Sequence, residues 1–135
     1  RVYGNIATAC RILREYDDAV KNYLKSYDYS VELGDKRNEC TCLGNLGNCY
    51  TELHQYDEAA DSYRKSLEIA SEINFIIGVI NASYNLGILA FHQKDYAEAK
   101  KCWELSLEKS RNINYQQGTS NAINALNALH NSVSS

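Results

Sequence analysis

The chain is 135 residues long and 44% apolar, with a formal net charge of -3 and neither proline nor methionine. That is one domain's worth of chain with enough apolar side chains for a core, and nothing in it interrupts long helices. The acidic balance offers no basic face to nucleic acid, and no apolar run approaches the roughly 20 residues of a membrane span.

From Arg1 to Leu13, Val2, Tyr3, Ile6, Ala9, Cys10 and Leu13 recur at spacings of three and four, which predicts a helix with one apolar face. Tyr16-Asp17-Asp18 opens a second helix, with acids in its first turn where the helix dipole favours them. It carries Ala19, Val20, Tyr23, Leu24 and Tyr27 and stops at Gly34, a residue suited to a helix C-terminus. The same pattern predicts helices over about Arg37–Leu53, Asp57–Ile73, Ile76–His92 and Tyr96–Ile113. A seventh helix is expected over about Gln116–His130, followed by a polar tail.

The pairs repeat. Asn45-Leu46-Gly47-Asn48 is followed by Tyr56-Asp57-Glu58-Ala59, and both blocks recur 40 residues on as Asn85-Leu86-Gly87-Ile88 and Tyr96-Ala97-Glu98-Ala99. Forty residues earlier stand Asn5-Ile6-Ala7-Thr8 and Tyr16-Asp17-Asp18-Ala19. A fixed period of this size marks a repeat array. The expected division is a single array with repeats at about 1–36, 37–75 and 76–115 and a capping helix over 116–131. Small residues hold two columns: Ala7, Gly47 and Gly87 in one, Ala19, Ala59 and Ala99 in the other. They let paired helices approach closely, and Tyr23, Tyr63 and Trp103 fill the space beside them. Asn127 stands where Gly87 would recur, so the last helix reads as the polar cap that terminal repeats require.

Leu46-Gly47-x-x-Tyr50, then Ala59 and Tyr63, resembles the tetratricopeptide repeat. The 40-residue period and the tripeptide Leu46-Gly47-Asn48 resemble, more narrowly, the Leu-Gly-Asn repeat protein/Pins family, whose members organise cell polarity and spindle orientation. The resemblance implies an all-α, right-handed superhelical solenoid of seven helices. It also implies a scaffold that binds a partner peptide in its concave groove, in polarity or signalling assemblies.

The first helix of each repeat should line that groove. Its columns bring forward Asn5, Asn45 and Asn85; Asn48 and Ile88; Asn81; Tyr84; and Arg11 and Phe91. Asparagine is a poor helix former, so a ladder of it in mid-helix costs some tenths of a kcal/mol per residue. Each amide offers a donor and an acceptor, which suits the main chain of an extended peptide. In the family resembled, asparagine at this place contacts the peptide main chain. The plainer reading is that these amides bridge neighbouring helices. Tyr84, Ile88 and Phe91 share a stripe that could receive an apolar anchor. Phe75 and Ile77 put apolar side chains into an inter-repeat turn that is polar elsewhere, as a contact patch or as packing under the longer second helix.

Catalytic chemistry is not expected. Cys10, Cys40, Cys42, Cys49 and Cys102 form no even framework and no metal-ligand spacing, and read as reduced thiols of a cytoplasmic protein. The three histidines fall in different columns, and neither a phosphate-cradling loop nor a nucleophile elbow occurs. No cofactor or metal is expected. A clamp for acidic C-termini would need cations in the groove, and those columns hold Gly4, Thr41, Asn81 and Asn85 instead. The expected partner is a protein or peptide. A sensor module of a larger signalling protein and a self-associating array are the alternatives. Beginning at Arg1 without methionine, the chain reads as a piece of a longer protein.

Overall fold

The computed structural model describes the backbone over residues 2–134 and side chains over residues 12–133. Six helices follow one another: α1 Val2–Leu33, α2 Lys36–Glu52, α3 Tyr56–Glu72, α4 Ile76–His92, α5 Tyr96–Asn112 and α6 Gln116–Ser134. Among the described residues there is no strand.

The helices are separated by turns of one design, two residues long after α1 and three residues long elsewhere. Gly34, His54, Asn74, Lys94 and Asn114, spaced 20 residues apart, all adopt positive φ between 56° and 72°. The next residue's N–H then reaches back to a carbonyl five residues earlier, as in Gln55 N–H to Tyr50 O (2.8 Å) and Asp95 N–H to Ala90 O (2.8 Å). This is the Schellman closure of a helix C-terminus. The same residue starts the following helix, its carbonyl accepting from four residues on, as Gln55 does from Ala59 N–H. One left-handed residue thus ends one helix and reverses the chain into the next.

The array has six helices rather than the expected seven, because the break near Arg14 does not occur. Each turn that forms carries at least one of two local signals. Gly34, His54, Asn74 and Asn114 are residue types that tolerate the left-handed region. Where Lys94 does not, Asp95 supplies a capping carboxylate, accepting from Glu98 N–H at 3.2 Å. Leu13-Arg14-Glu15 offers neither signal, and all three are strong helix formers. The two segments of the first repeat therefore run on as a single 32-residue helix.

Packing follows the chain. Among the described residues each helix contacts its sequence neighbours; in addition α2 touches α4 and α4 touches α6, whereas no contact joins α1, α3 and α5 to one another. The even-numbered helices consequently line the inner side of the curve. The small columns sit where the sequence pattern requires them. A Cβ on Gly47 would lie 2.5 Å from the Tyr63 ring, and one on Gly87 would strike the Trp103 indole. Ala59 and Tyr63 of α3 are buried against Leu86 and Leu89 of α4, and Ala99 and Trp103 of α5 against Ala90 and Leu129. Cys40, Cys42, Cys49 and Cys102 are free and buried in these layers.

Candidate functional site

The inner face of α2 and α4 holds a cavity of about 320 Å³, lined among others by Asn45, Asn48, Asn81 and Asn85, with Cys40, Gly44 and Gly78 in its wall. A second cavity of about 220 Å³ continues the groove towards the helix ends and is lined by Asn48, Tyr63, Asn85 and Ile88. Four of the asparagines singled out by register thus converge on one continuous groove, and two of them, Asn48 and Asn85, belong to both cavities.

Gly44 and Gly78 both line this space, in different surroundings. A Cβ on Gly78 would meet the Phe75 ring at 2.8 Å, Ala70 at 3.0 Å and the Cys40 sulfur at 3.2 Å. A Cβ on Gly44 would meet nothing nearer than Ser66 Oγ at 3.9 Å. One repeat later the position of Gly44 is taken by Tyr84, which packs against the cluster around Trp103. The groove is therefore open between α2 and α4 and filled by an aromatic ring between α4 and α6.

The polar groups of the groove differ in how they are held. Tyr63 donates its hydroxyl proton to Asn48 Oδ1 at 2.5 Å, which fixes that amide and directs its N–H groups elsewhere. Asn45, Asn81 and Asn85 make no side-chain hydrogen bond within the described chain. Burial pushes the Tyr63 hydroxyl's pKa up, so it stays a proton donor through the neutral range. Cys40 beside it is likewise raised by burial and exchanges a hydrogen bond with Ser66 Oγ at 3.2 Å. A neutral thiol of this kind is neither nucleophile nor metal ligand. No cluster of three metal-ligating side chains occurs among the described residues.

The other candidates are distributed. Tyr84, Ile88 and Phe91 are partly buried against α5 and α6, with Phe91 tilted on Trp103 (5.7 Å between centroids) and on Tyr96 (5.7 Å). The Tyr84 carbonyl accepts from Trp103 Nε1 at 3.1 Å. Phe75 lies half-buried at the first cavity's edge with the Arg37 guanidinium 4.3 Å above its ring, while Ile77, on the next turn, is exposed. Phe75 therefore joins the Cys40–Ala70–Val79 cluster and Ile77 does not. The side chains of Asn5 and Arg11 lie outside the described residues.

Register placed Gly44 in the groove-facing column that also holds Tyr84, and read Tyr63 as core, not as a groove residue. The signal for Gly44 was present in its column, where a glycine in one repeat gives way to Tyr84 in the next. The role of Tyr63 had no sequence signal, since its ring belongs to the core and only its hydroxyl reaches the groove.

An all-α array whose units contact only their neighbours and whose inner helices form a groove is a helical repeat protein of the interaction class. The tetratricopeptide repeat model matches residues 1–72, more than half of the chain, and a second tetratricopeptide repeat model matches residues 80–113. The chain belongs to the tetratricopeptide repeat family. A search of curated proteins returned no match. No helix among the described residues is long and apolar enough to cross a membrane.

Proposed function

We propose that this chain is a non-enzymatic scaffold, acting in the cytoplasm, that holds an extended peptide of a partner protein in the groove between α2 and α4. The observation that carries the reading is the set of open amides: Asn45, Asn81 and Asn85 line one cavity without an intramolecular partner. Mid-helix asparagine lowers helix stability, and a bound peptide would give these three solvent-accessible amides a fixed hydrogen-bonding partner in place of water. A peptide main chain presents alternating donors and acceptors that two-sided amides can match. Asn48, oriented by Tyr63, presents its N–H groups to peptide carbonyls. The cavity beside Gly44 and Gly78 accepts one small apolar side chain of the peptide.

By register Asn5 continues the ladder and Arg11 adds a cation at its end. Tyr84, Ile88 and Phe91 form the apolar wall against which an anchor residue rests, and Phe75 and Ile77 extend the contact along the groove edge. The resemblance to the Leu-Gly-Asn repeat protein/Pins family supports a role in polarity or signalling assemblies.

Capture of peptides from a displayed library, followed by affinity measurement on Asn45→Ala and Asn85→Ala, tests the groove. Each amide contributes about 0.5–1.5 kcal/mol as a net hydrogen bond, so each substitution should weaken binding about two- to tenfold. Unchanged affinity in both variants, with the thermal melt preserved, would rule out the ladder.

A further inference from the structure

Charge is divided unevenly between the two layers of the array. The outer helices α3 and α5 each carry seven charged side chains in 17 residues. The inner helices α4 and α6 contain no aspartate, glutamate, lysine or arginine. For α4 burial accounts for much of this, since Val79, Ile80, Ala82, Leu86 and Leu89 are core residues. Burial does not account for α6, where Gln116, Gln117, Ser120, Asn124 and Asn127 are exposed. Glutamate, lysine and arginine are better helix formers than asparagine or serine at such positions. Local preference therefore works against the composition that α6 has.

The third inner helix, α2, is charged only towards its ends, and residues 40–51 carry no charge. Glu39 is buried and pairs with Lys36 at 3.5 Å. Arg37 stands over the Phe75 ring at one edge of the groove, and Glu52 lines the cavity at the other. The cavity that holds Asn45, Asn81 and Asn85 is lined by uncharged side chains alone. By register Asn121 and Asn124 of α6 extend the columns of Asn81 and Tyr84, and Gln117 donates to Asn121 Oδ1 at 3.0 Å. The charges of α3 and α5 lie a helix layer behind, with about 8–10 Å between axes. That distance is close to the ~10 Å screening length at 0.1 M salt, so their field at the groove is weak.

We propose that the inner face selects an uncharged segment of its partner, built from amide, hydroxyl and apolar side chains, and that ion pairs contribute nothing to its hold. The inference rests on the reading of the groove as a peptide site and adds the chemical class of the peptide. A charged side chain laid on this face gives up water and meets no opposite charge, which disfavours it. An amide or hydroxyl exchanges its water for Asn45, Asn81 or Asn85 at little net change in free energy. Arg37 and Glu52 bracket the uncharged stretch, so the partner's charged residues fall outside the segment that is gripped. Binding of this kind is insensitive to ionic strength, because salt screens interactions between charges, and it forgoes the fast electrostatic steering that charged grooves give.

Two displayed libraries of short peptides test this with the full chain. One is drawn from asparagine, glutamine, serine, threonine, glycine, leucine and valine, and the other adds aspartate, glutamate, lysine and arginine. Captured sequences should come from the first library, or from members of the second with an uncharged central stretch. The Kd of the tightest peptide should change less than about twofold between about 50 mM and 500 mM sodium chloride. Asn81→Lys, a change to a better helix former at an exposed position, should turn the enrichment towards acidic peptides and make their Kd salt-dependent. Enrichment of peptides charged throughout, a wild-type Kd that rises tenfold with salt, or an enrichment unmoved by Asn81→Lys would overturn the proposal. Charged peptides whose capture is lost in Asn45→Ala and Asn85→Ala would sink the charge selection and leave the groove standing. Capture indifferent to both substitutions, or no capture from either library, would remove the groove reading and this inference with it.

Discussion

Gly87 and Trp103 mark the crossing of α4 and α5, and the space between them leaves no room for a side chain. The Trp103 indole cannot move aside, because its Nε1–H is held by the Tyr84 carbonyl at 3.1 Å and Phe91 tilts against its ring. Gly87→Val should therefore lower stability by about 2 kcal/mol, the usual cost of overpacking, seen as a lower urea midpoint at an unchanged slope. Gly44→Ala serves as the control. Its added methyl meets only Ser66 Oγ at 3.9 Å, and replacing glycine in mid-helix should stabilise by up to about 1 kcal/mol. The buried thiols give a second prediction at this scale. Burial, with Glu98 adding to it, pushes the Cys102 thiol up from 9.0 to about 11. An acid whose folded pKa is raised binds its proton more tightly when folded. The unfolded chain thus loses that proton first as the pH rises, and stability falls between about pH 9 and 11. The loss from this one group is roughly 2–3 kcal/mol. Thermal melts at pH 8 and pH 10.5 should show a drop that is smaller in Cys102→Ala; an equal drop in both would remove Cys102 as its source.

At the scale of the element, the turns decide where helices stop. Asn74 holds φ at 56°, a conformation that costs a β-branched residue far more than it costs asparagine or glycine. Asn74→Val should destabilise by about 1–2 kcal/mol, whereas Asn74→Gly should be neutral or slightly stabilising. Denaturant titration separates the two, and equal midpoints would mean that the turn tolerates another backbone path. The contrast between α1 and the later pairs obeys the same rule. Arg14 is chemically close to Lys94, yet Lys94 turns because Asp95 caps the next helix. A repeat pattern in apolar positions is therefore not sufficient for a helix pair; the junction must also contain a residue that stops one helix or starts the next.

For the whole molecule, stability is distributed between neighbours. α6 covers the Ala90–Ala99–Trp103 cluster through Leu129, Leu126 and Ala125, and touches no helix before α4. Deleting residues 116–134 should open α5 and the end of α4 while leaving the α2–α3 pair protected, as expected of a quasi-one-dimensional array. Hydrogen exchange resolves this directly: protection should be lost in α5 and retained in α2 and α3. Uniform loss along the chain would mean that the array folds as one cooperative block.

The sequence by itself determined the repeat, its period and the packing roles of Leu46, Gly47, Ala59 and Tyr63. Those roles depend on side-chain size at fixed helical spacing, and spacing is a local property. It also placed Asn45, Asn81 and Asn85 on one face, because Asn45 and Asn85 are 40 apart and occupy the same position in successive units, and Asn81 lies one helical turn before Asn85. Tertiary structure alone decided the rest. Which side chains share one cavity depended on residues from different helices, among them Asn45 of α2 and Asn81 and Asn85 of α4, coming together. Which amide is fixed depended on a hydroxyl carried by the neighbouring helix, Tyr63. Whether the first repeat closes into a hairpin depended on a balance at Leu13-Arg14-Glu15 between helix propensity and the burial a fold-back would gain. Apolar periodicity reports the burial and is silent on the balance.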